Sequence, residues 1–421
     1  MKNKLTLFWS KLKQRLWFRP ALFCAAAIVL ALIASEADGT FLDDLVPEIK
    51  MESVKWLLDT IASSMLVISI FAVTSMLSAF SAAQNAATPR SFKLVIADDV
   101  SQNALSVFIS AFIFGIVASV AINNGYFGKS GRFILFLFAL VFFALIILVF
   151  LRWVDRISRL GRLEHTIHKI EEATSIAIIE RLKYPYLKAK PYDNNQPPST
   201  AVFSNVTGYI QSINFQKLQA FAEKRELTIR INSMPGRFVN PGTPIAFINI
   251  DGPLERKEVN QAINKGFSIG KTRDFDSDPR FGLIALSEIA SRALSTGIND
   301  PGTAIQIIGT NERLFYLWDQ YSPESDERVK YDRIEVPKLN LEDLFEDSFR
   351  AVARDGAGNI EVMLKMQKAF HSLHLMKNRI IREASLKHSK GAFSRAEQSM
   401  ASPEDIELLR KSALFSENSG S

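Results

Sequence analysis

Long apolar runs fill the first third of the chain and are missing from the rest. They cover residues 16–34, 56–80, 105–122 and 133–153. A helix needs about 20 apolar residues to cross a bilayer, so each run predicts a membrane-spanning helix. Residues 81–87 after the second run contain good helix formers and no breaker before Pro89. That helix is therefore expected to run past the bilayer on its C-terminal side.

Beyond residue 153 the pattern becomes that of a water-facing domain. Ile157, Leu160, Leu163, Ile167, Ile170, Ala173, Ile176 and Ile179 recur at helical spacing. They predict a helical stalk over 154–183, continuing from the fourth run. Pro185, Pro191, Pro197 and Pro198 mark 184–200 as a linker. Over 201–252 the period shortens to that of strands, interrupted by one short helix and a Pro235-Gly236 turn. This predicts a small β-barrel or sandwich-like subdomain. Biotinyl and lipoyl carriers have a similar half-motif, but they need a lysine at a hairpin tip, and this turn carries Arg237. Residues 253–400 read as mainly helical, with a strand near 328–336 and one long helix over 360–388; 401–421 read as a short helix and a disordered tail. The fold class is thus a four-helix transmembrane domain (1–153) followed by an α+β domain.

Charge gives this arrangement a direction. Lys2, Lys4, Lys11, Lys13, Arg15 and Arg19 precede the first run, while Glu36, Asp38, Asp43, Asp44 and Glu48 follow it. Arg90 and Lys93 follow the second run; Arg152, Arg156, Arg159 and Arg162 follow the fourth. The positive-inside rule places both termini in the cytoplasm. Trp9, Trp17, Trp56 and Trp153 stand at run ends, as an aromatic belt would place them. A cleaved signal peptide is the alternative for the first run, but no small-x-small site follows it. The net charge of +6 is absorbed by topology. No basic stripe interleaved with aromatics points to nucleic acid. The single cysteine, Cys24, allows neither an internal disulfide nor a cysteine zinc site.

Two places carry candidate chemistry. In the second run Thr60, Ser64, Thr74, Ser75 and Ser78 share one helical face. That face suits helix packing in lipid, or a pore lined by several subunits. Asp59 is the acid at its outer end. The second place is the stretch Arg292-Ala293-Leu294-Ser295-Thr296-Gly297-Ile298-Asn299-Asp300-Pro301-Gly302-Thr303-Ala304. Gly297 reads as the end of one helix, and Asp300-Pro301 as the cap and first residue of the next. Arg292, Ser295, Asn299 and Thr303 are not needed for that, so with Asp300 and Arg273 they predict a polar pocket for a small anion. Asp274, Asp276 and Asp278 lack EF-hand spacing and read as a helix cap with solvated charges. The pairs His165/His168 and His371/His374 each share a helix face without zincin spacing, so no metal site and no cofactor is assigned. Walker, nucleophile-elbow and dinucleotide motifs are absent from the sequence.

Several stretches together resemble a known family. They are Arg292-Ala293-Leu294-Ser295, Ile298-Asn299-Asp300-Pro301 and Thr303-Ala304, with Pro89-Arg90 after the second run. Gly208-Tyr209, Pro235-Gly236-Arg237-Phe238-Val239, Gly242 and Phe281-Gly282-Leu283 complete the set. The pattern is similar to the bacterial predicted-membrane-protein family called domain of unknown function 2254. That family usually has proline where Thr296 stands and a bulkier residue where Gly302 stands. The resemblance implies the architecture and no established activity. Three function classes remain open: an oligomeric, channel- or transport-like membrane protein with a cytoplasmic regulatory domain; a membrane-bound enzyme or ligand sensor using the Arg292-Asn299-Asp300 pocket; and a membrane scaffold or assembly factor.

Overall fold

The computed structural model describes residues 42–86, 88–90, 99–192, 200–249, 256–321 and 329–415, with isolated positions at 21–22, 25, 29, 38 and 94. The chain divides into two compact units, Met1–Thr166 and Ile167–Ser421.

Among the described residues the first unit holds three helices long and apolar enough to cross a membrane, within Met51–Ala83, Val100–Asn123 and Lys129–Arg159. They belong to α1 (Met51–Ala86), α2 (Asp99–Asn123) and α3 (Lys129–Leu160). The run at 16–34 lies almost wholly outside the described residues. α1 does continue past its apolar run, reaching Ala86. It packs against α2 through small residues. A Cβ on Gly115 would lie 2.9 Å from both Ala62 Cβ and the Leu58 carbonyl oxygen, so the two backbones meet there. Ala111 and Ser119, one turn to either side, are buried in the same seam. Ser119 donates a 2.6 Å hydrogen bond to Asp59 across it.

Two expectations change in this unit. Trp153 is fully buried, ringed by Phe71, Phe108 and Phe150, instead of lying in an aromatic belt. Its position extends the buried stripe Leu135, Ala139, Ile146 along α3, and periodicity overrides its place at the run's end. Trp56 is 70% exposed, as a belt residue would be. Asp38 is more than a loop charge: its carboxylate accepts from the backbone N–H groups of Gly128 (2.6 Å) and Gly131 (2.7 Å), capping α3.

The stalk helix is separate from the fourth span. α3 stops at Leu160, Gly161 caps it, and α4 runs Leu163–Lys183. Gly161 fits against Ala82 of α1, whose Cβ would sit 3.4 Å from a Cβ at 161.

The second unit is mixed α/β. Its strands are β1 (Ala189–Pro191), β2 (Thr200–Phe203), β3 (Gly208–Ile213), β4 (Thr228–Ile231), β5 (Phe238–Val239), β6 (Pro244–Asn249), β7 (Phe267–Gly270) and β8 (Tyr331–Val336). They form a five-stranded sheet, order β1-β8-β4-β6-β2, and a three-stranded antiparallel sheet, order β5-β3-β7. β8 lies parallel to both β1 and β4. The sheets therefore draw strands from well outside 201–252, and β1 falls inside the expected linker. Two short helices belong to this region, α5 (Phe215–Lys224) and α6 (Arg256–Asn264). Leu218, Ile229, Ile231, Ile245, Ile248, Ile263 and Ile334 form the core beneath the sheets.

The rest of this unit is helical: α7 (Pro279–Ala293), α8 (Pro301–Gln320), α9 (Leu341–Asp355), α10 (Ile360–His374), α11 (Arg379–Ser399) and α12 (Pro403–Ser412). Phe315, Phe345, Phe349 and Phe370 pack together in its core, Phe315 stacked on Phe349 and Phe349 edge-on to Phe370. The long helix expected over 360–388 is two helices. Asn378 breaks it, its side chain accepting from the Ile380 and Ile381 backbone N–H groups.

Candidate anion-binding site

The Arg292–Ala304 corner closes on itself. α7 ends at Ala293, earlier than Gly297 suggested, and the left-handed residue is Asn299 at φ 50°. Asparagine tolerates that conformation better than most residues with a side chain. Ser295 Oγ donates to the Arg292 carbonyl at 2.7 Å. Asp300 caps α8: its carboxylate accepts from the Thr303 N–H at 3.1 Å and from the Thr303 hydroxyl at 2.6 Å. Those bonds, led by the hydroxyl, hold the Asp300 carboxyl below its usual range. Asn299 and Ser295 are exposed, Arg292 is half-buried and Thr303 is buried.

Arg273 lies in another setting. Its Nε donates to Asp278 Oδ2 at 2.7 Å, and its guanidinium stands over the Phe281 ring, 5.4 Å from the centroid. Asp278 is only 2% exposed, unlike the solvated cap expected. It occupies the N-cap position of α7 without a side-chain cap bond, because its carboxylate is turned to Arg273. Burial raises the Asp278 pKa, and the Arg273 hydrogen bond only partly offsets this. The Pro235-Gly236 turn presses on this pair. Gly236 has φ 93°, and a Cβ there would lie 2.2 Å from Asp278 Oδ2.

Around this pair opens a cavity of about 520 Å³. Its charged walls are Arg181, Arg237, Arg273, Arg280, Lys338, Asp278 and Asp343; none of residues 292–303 lines it. The N-terminal ends of α7 (Asp278, Pro279, Arg280) and α9 (Asn340, Asp343) both border it. Helix starts carry a partial positive charge; that of α9 is capped by Asn340, whose Oδ1 accepts from the Glu342 N–H at 3.0 Å, while that of α7 has no side-chain cap. Close packing brings these pieces together. Gly282 of α7 rests on Thr174 of α4, where a Cβ would overlap the hydroxyl at 1.7 Å. Arg181 lies two turns further along that face of α4.

The cations divide into two sets. Arg280 is committed, its Nη1 to Asp343 at 2.6 Å and its Nε to Asp347 at 2.6 Å. Burial pulls its pKa down, but Asp347 and Asp343 together carry it above the ordinary arginine value. Arg273 is held by Asp278. Arg237 donates to the Asn232 carbonyl at 3.1 Å, and Lys338 is exposed. Arg181 is the unusual one. It is 9% exposed, its Nη2 donates to the Pro337 carbonyl at 3.0 Å, and its Nε and Nη1 are buried without a partner. Burial pushes its pKa down to about 10, which still leaves it charged at neutral pH. Among the described residues, Arg181, Arg237 and Lys338 have no carboxylate partner.

Sequence reasoning passed over Arg181, although a signal exists. The buried positions of α4 are Thr166, Ile167, Ile170, Thr174, Ala177, Ile178 and Arg181. An arginine at the next step of a buried stripe is a buried arginine. Lys338 and Arg237 carry no such signal. No group of three or more His, Cys, Asp or Glu is placed to hold a metal ion among the described residues.

The family model for "Predicted membrane protein (DUF2254)" matches residues 13–372. The chain belongs to this family. Residues of the cavity from Arg181 to Asp343 lie within the match. Curated relatives come from mycobacteria. Uncharacterized protein MT1328 of Mycobacterium tuberculosis (strain CDC 1551 / Oshkosh) is 31% identical over 117 residues, covering 27% of this chain and 22% of the relative. Uncharacterized protein Mb1321c of Mycobacterium bovis is 30% identical over the same length. The chain thus spans about a fifth of the length of these relatives, 22%. No solved structure matches.

Proposed function

We propose that this DUF2254 member is a membrane-anchored binding protein whose second unit takes a small anionic ligand in the Arg181 cavity. The observation that carries this is the buried, uncompensated guanidinium of Arg181, with Arg237 and Lys338 beside it and two helix N-termini bordering the same space. A buried charge without a counter-charge costs several kcal/mol by general estimate, and an anion offsets that. Binding is favoured over catalysis by the lining. It contains no His or Cys, and its carboxylates, Asp278 and Asp343, are each paired with an arginine. Ser277 and Lys338 are the remaining lining groups that could act as nucleophile or base, and the lining places no His and no unpaired carboxylate with them to activate either.

The test is calorimetric titration of the full-length protein in detergent with phosphate, sulfate and citrate. At least one should bind, with affinity falling as salt rises. A triple variant, Arg181→Gln with Arg237→Gln and Lys338→Gln, should lose binding. Failure of all three anions to bind, or unchanged binding by the triple variant, overturns the reading.

A second reading concerns the membrane unit. Ser64, Thr74 and Ser78 of α1 are exposed on a helix built to cross a membrane. Polar groups facing lipid are unfavourable, so a second copy covering this face is the economical arrangement. We read the protein as a homo-oligomer of the bacterial inner membrane, with 16–34 as a further span and both termini cytoplasmic. The face carrying Thr60, Ser64, Thr74, Ser75 and Ser78 would then lie at the oligomer axis, as a packing surface or a solute path. Ion flux through reconstituted liposomes tests the path: vesicles that stay tight with and without anion remove it.

A further inference from the structure

We infer that the Arg181 cavity recognises the phosphoryl group of a small organic phosphate; this rests on the anion-site reading and names its ligand class. Charge is the first argument. Arg273 and Arg280 are paired with three carboxylates, Asp278, Asp343 and Asp347, so with Arg181, Arg237 and Lys338 the five cations exceed the three anions by two positive charges. A monocarboxylate would match one of them. A phosphate monoester or diphosphate brings close to two or three negative charges on one compact group.

Donor geometry is the second argument. Phosphate oxygens suit planar guanidinium forks and helix N-termini, and this cavity combines both. The starts of α7 and α9 border it beside Arg181, Arg237 and Arg273. Asp278 stands at the start of α7 but spends its carboxylate on Arg273 instead of on the helix. Arg181 supplies an observation independent of the helix ends. The Arg181 side chain lines the same cavity, and its Nε and Nη1, closed off from solvent, have no hydrogen-bond partner among the described residues.

Size and lining supply the third. About 520 Å³ is within the ordinary range for small-molecule sites and far more than one inorganic anion fills. Met234, Pro235, Pro279 and Leu339 form an uncharged wall. The ligand therefore has a charged end and an organic body. Both a soluble phosphate ester and the phosphate headgroup of a lipid have that chemistry.

The experiment uses the full-length protein in detergent micelles and titrates pyrophosphate, ADP and citrate by calorimetry. A parallel arm uses sedimentation with vesicles of phosphatidylcholine with and without phosphatidic acid. Pyrophosphate or ADP should bind about tenfold or more tightly than citrate. Arg181→Gln should weaken that binding about ten- to a hundredfold, the value of a charged hydrogen bond. Lys338→Gln should weaken it several-fold, and because Lys338 is exposed this variant keeps the test valid if Arg181→Gln unfolds. Binding to phosphatidic acid vesicles alone, lost in Lys338→Gln, supports the same phosphoryl recognition with a lipid source. Citrate binding as tightly as the phosphates overturns the ligand class and leaves the anion site standing. No binding by any probe overturns both, as does phosphate binding that neither variant changes.

Discussion

A methyl group on Gly236 would have to occupy the space of the Asp278 carboxylate, on a backbone at φ 93° that side chains resist. Gly236→Ala is therefore expected to destabilise the second unit by about 1–3 kcal/mol and to displace the Arg273–Asp278 pair. Denaturant unfolding measures the first effect; loss of anion affinity measures the second. A stable variant with intact binding would show that the turn does not shape the cavity. Asp300 makes a different prediction. Asp300→Ala removes the α8 cap, worth about 0.5–2 kcal/mol, and should leave anion affinity unchanged. Reduced affinity at full stability would return the ligand to the Arg292–Ala304 corner. The corner's punctuation was readable because Asp before Pro is a local rule. Which residue took the left-handed turn was less so, since Gly297 and Asn299 both qualify and tertiary packing chose Asn299. The cavity was harder still. Arg181, Arg237 and Arg273 are scattered along the chain and share no motif.

Between elements, the stiffest local signals held and the softer ones yielded to packing. The apolar runs at 56–80, 105–122 and 133–153 are helices because nothing competes with that periodicity over so many residues. The single helix expected over 360–388 failed at Asn378, whose side chain offers its own cap. β8 was readable as a strand, but not its parallel place between β1 and β4, which depends on contacts far apart in sequence. The α10–α11 break also places His388 of α11 against Phe345 and Phe370. Burial lowers its pKa below 6.5; Glu346 and Glu342 oppose this, while Lys387 and Arg350 add to it. As pH falls through about 6.5 the unfolded chain takes up a proton that the folded chain refuses. The unfolded state then binds more protons, so stability should fall from about pH 7 to below pH 6. His388→Gln should flatten that part of the profile in thermal unfolding. An unchanged profile would show that His388 does not carry it.

The whole molecule joins a unit with apolar helices long enough to cross a membrane to a mixed α/β unit, Met1–Thr166 and Ile167–Ser421, while the apolar runs of the sequence stop at residue 153. Oligomeric state is the property most open to a direct test. Replacing Cys24, the only cysteine, clears the background for a single new thiol. Ser64→Cys on the exposed polar face of α1 should form a reducible dimer band on mild oxidation, whereas Leu148→Cys on the apolar face of α3 should not. A monomeric Ser64→Cys band would remove α1 from any subunit contact. The length of α1 has one more consequence. Its 36 residues reach about 54 Å, whereas α2, with 25, reaches about 38 Å. Hydrocarbon is about 30 Å thick, so α2 fits with little adjustment and the full length of α1 does not. The two are pinned together at Gly115. Only the apolar run 56–80, about 38 Å long, bears on hydrophobic matching; the polar ends of α1 suit water, and each ångström of remaining mismatch would cost a fraction of a kcal/mol. Acyl-chain length is then expected to set how closely a bilayer matches that run, a dependence measured by thermal unfolding in vesicles of graded chain length.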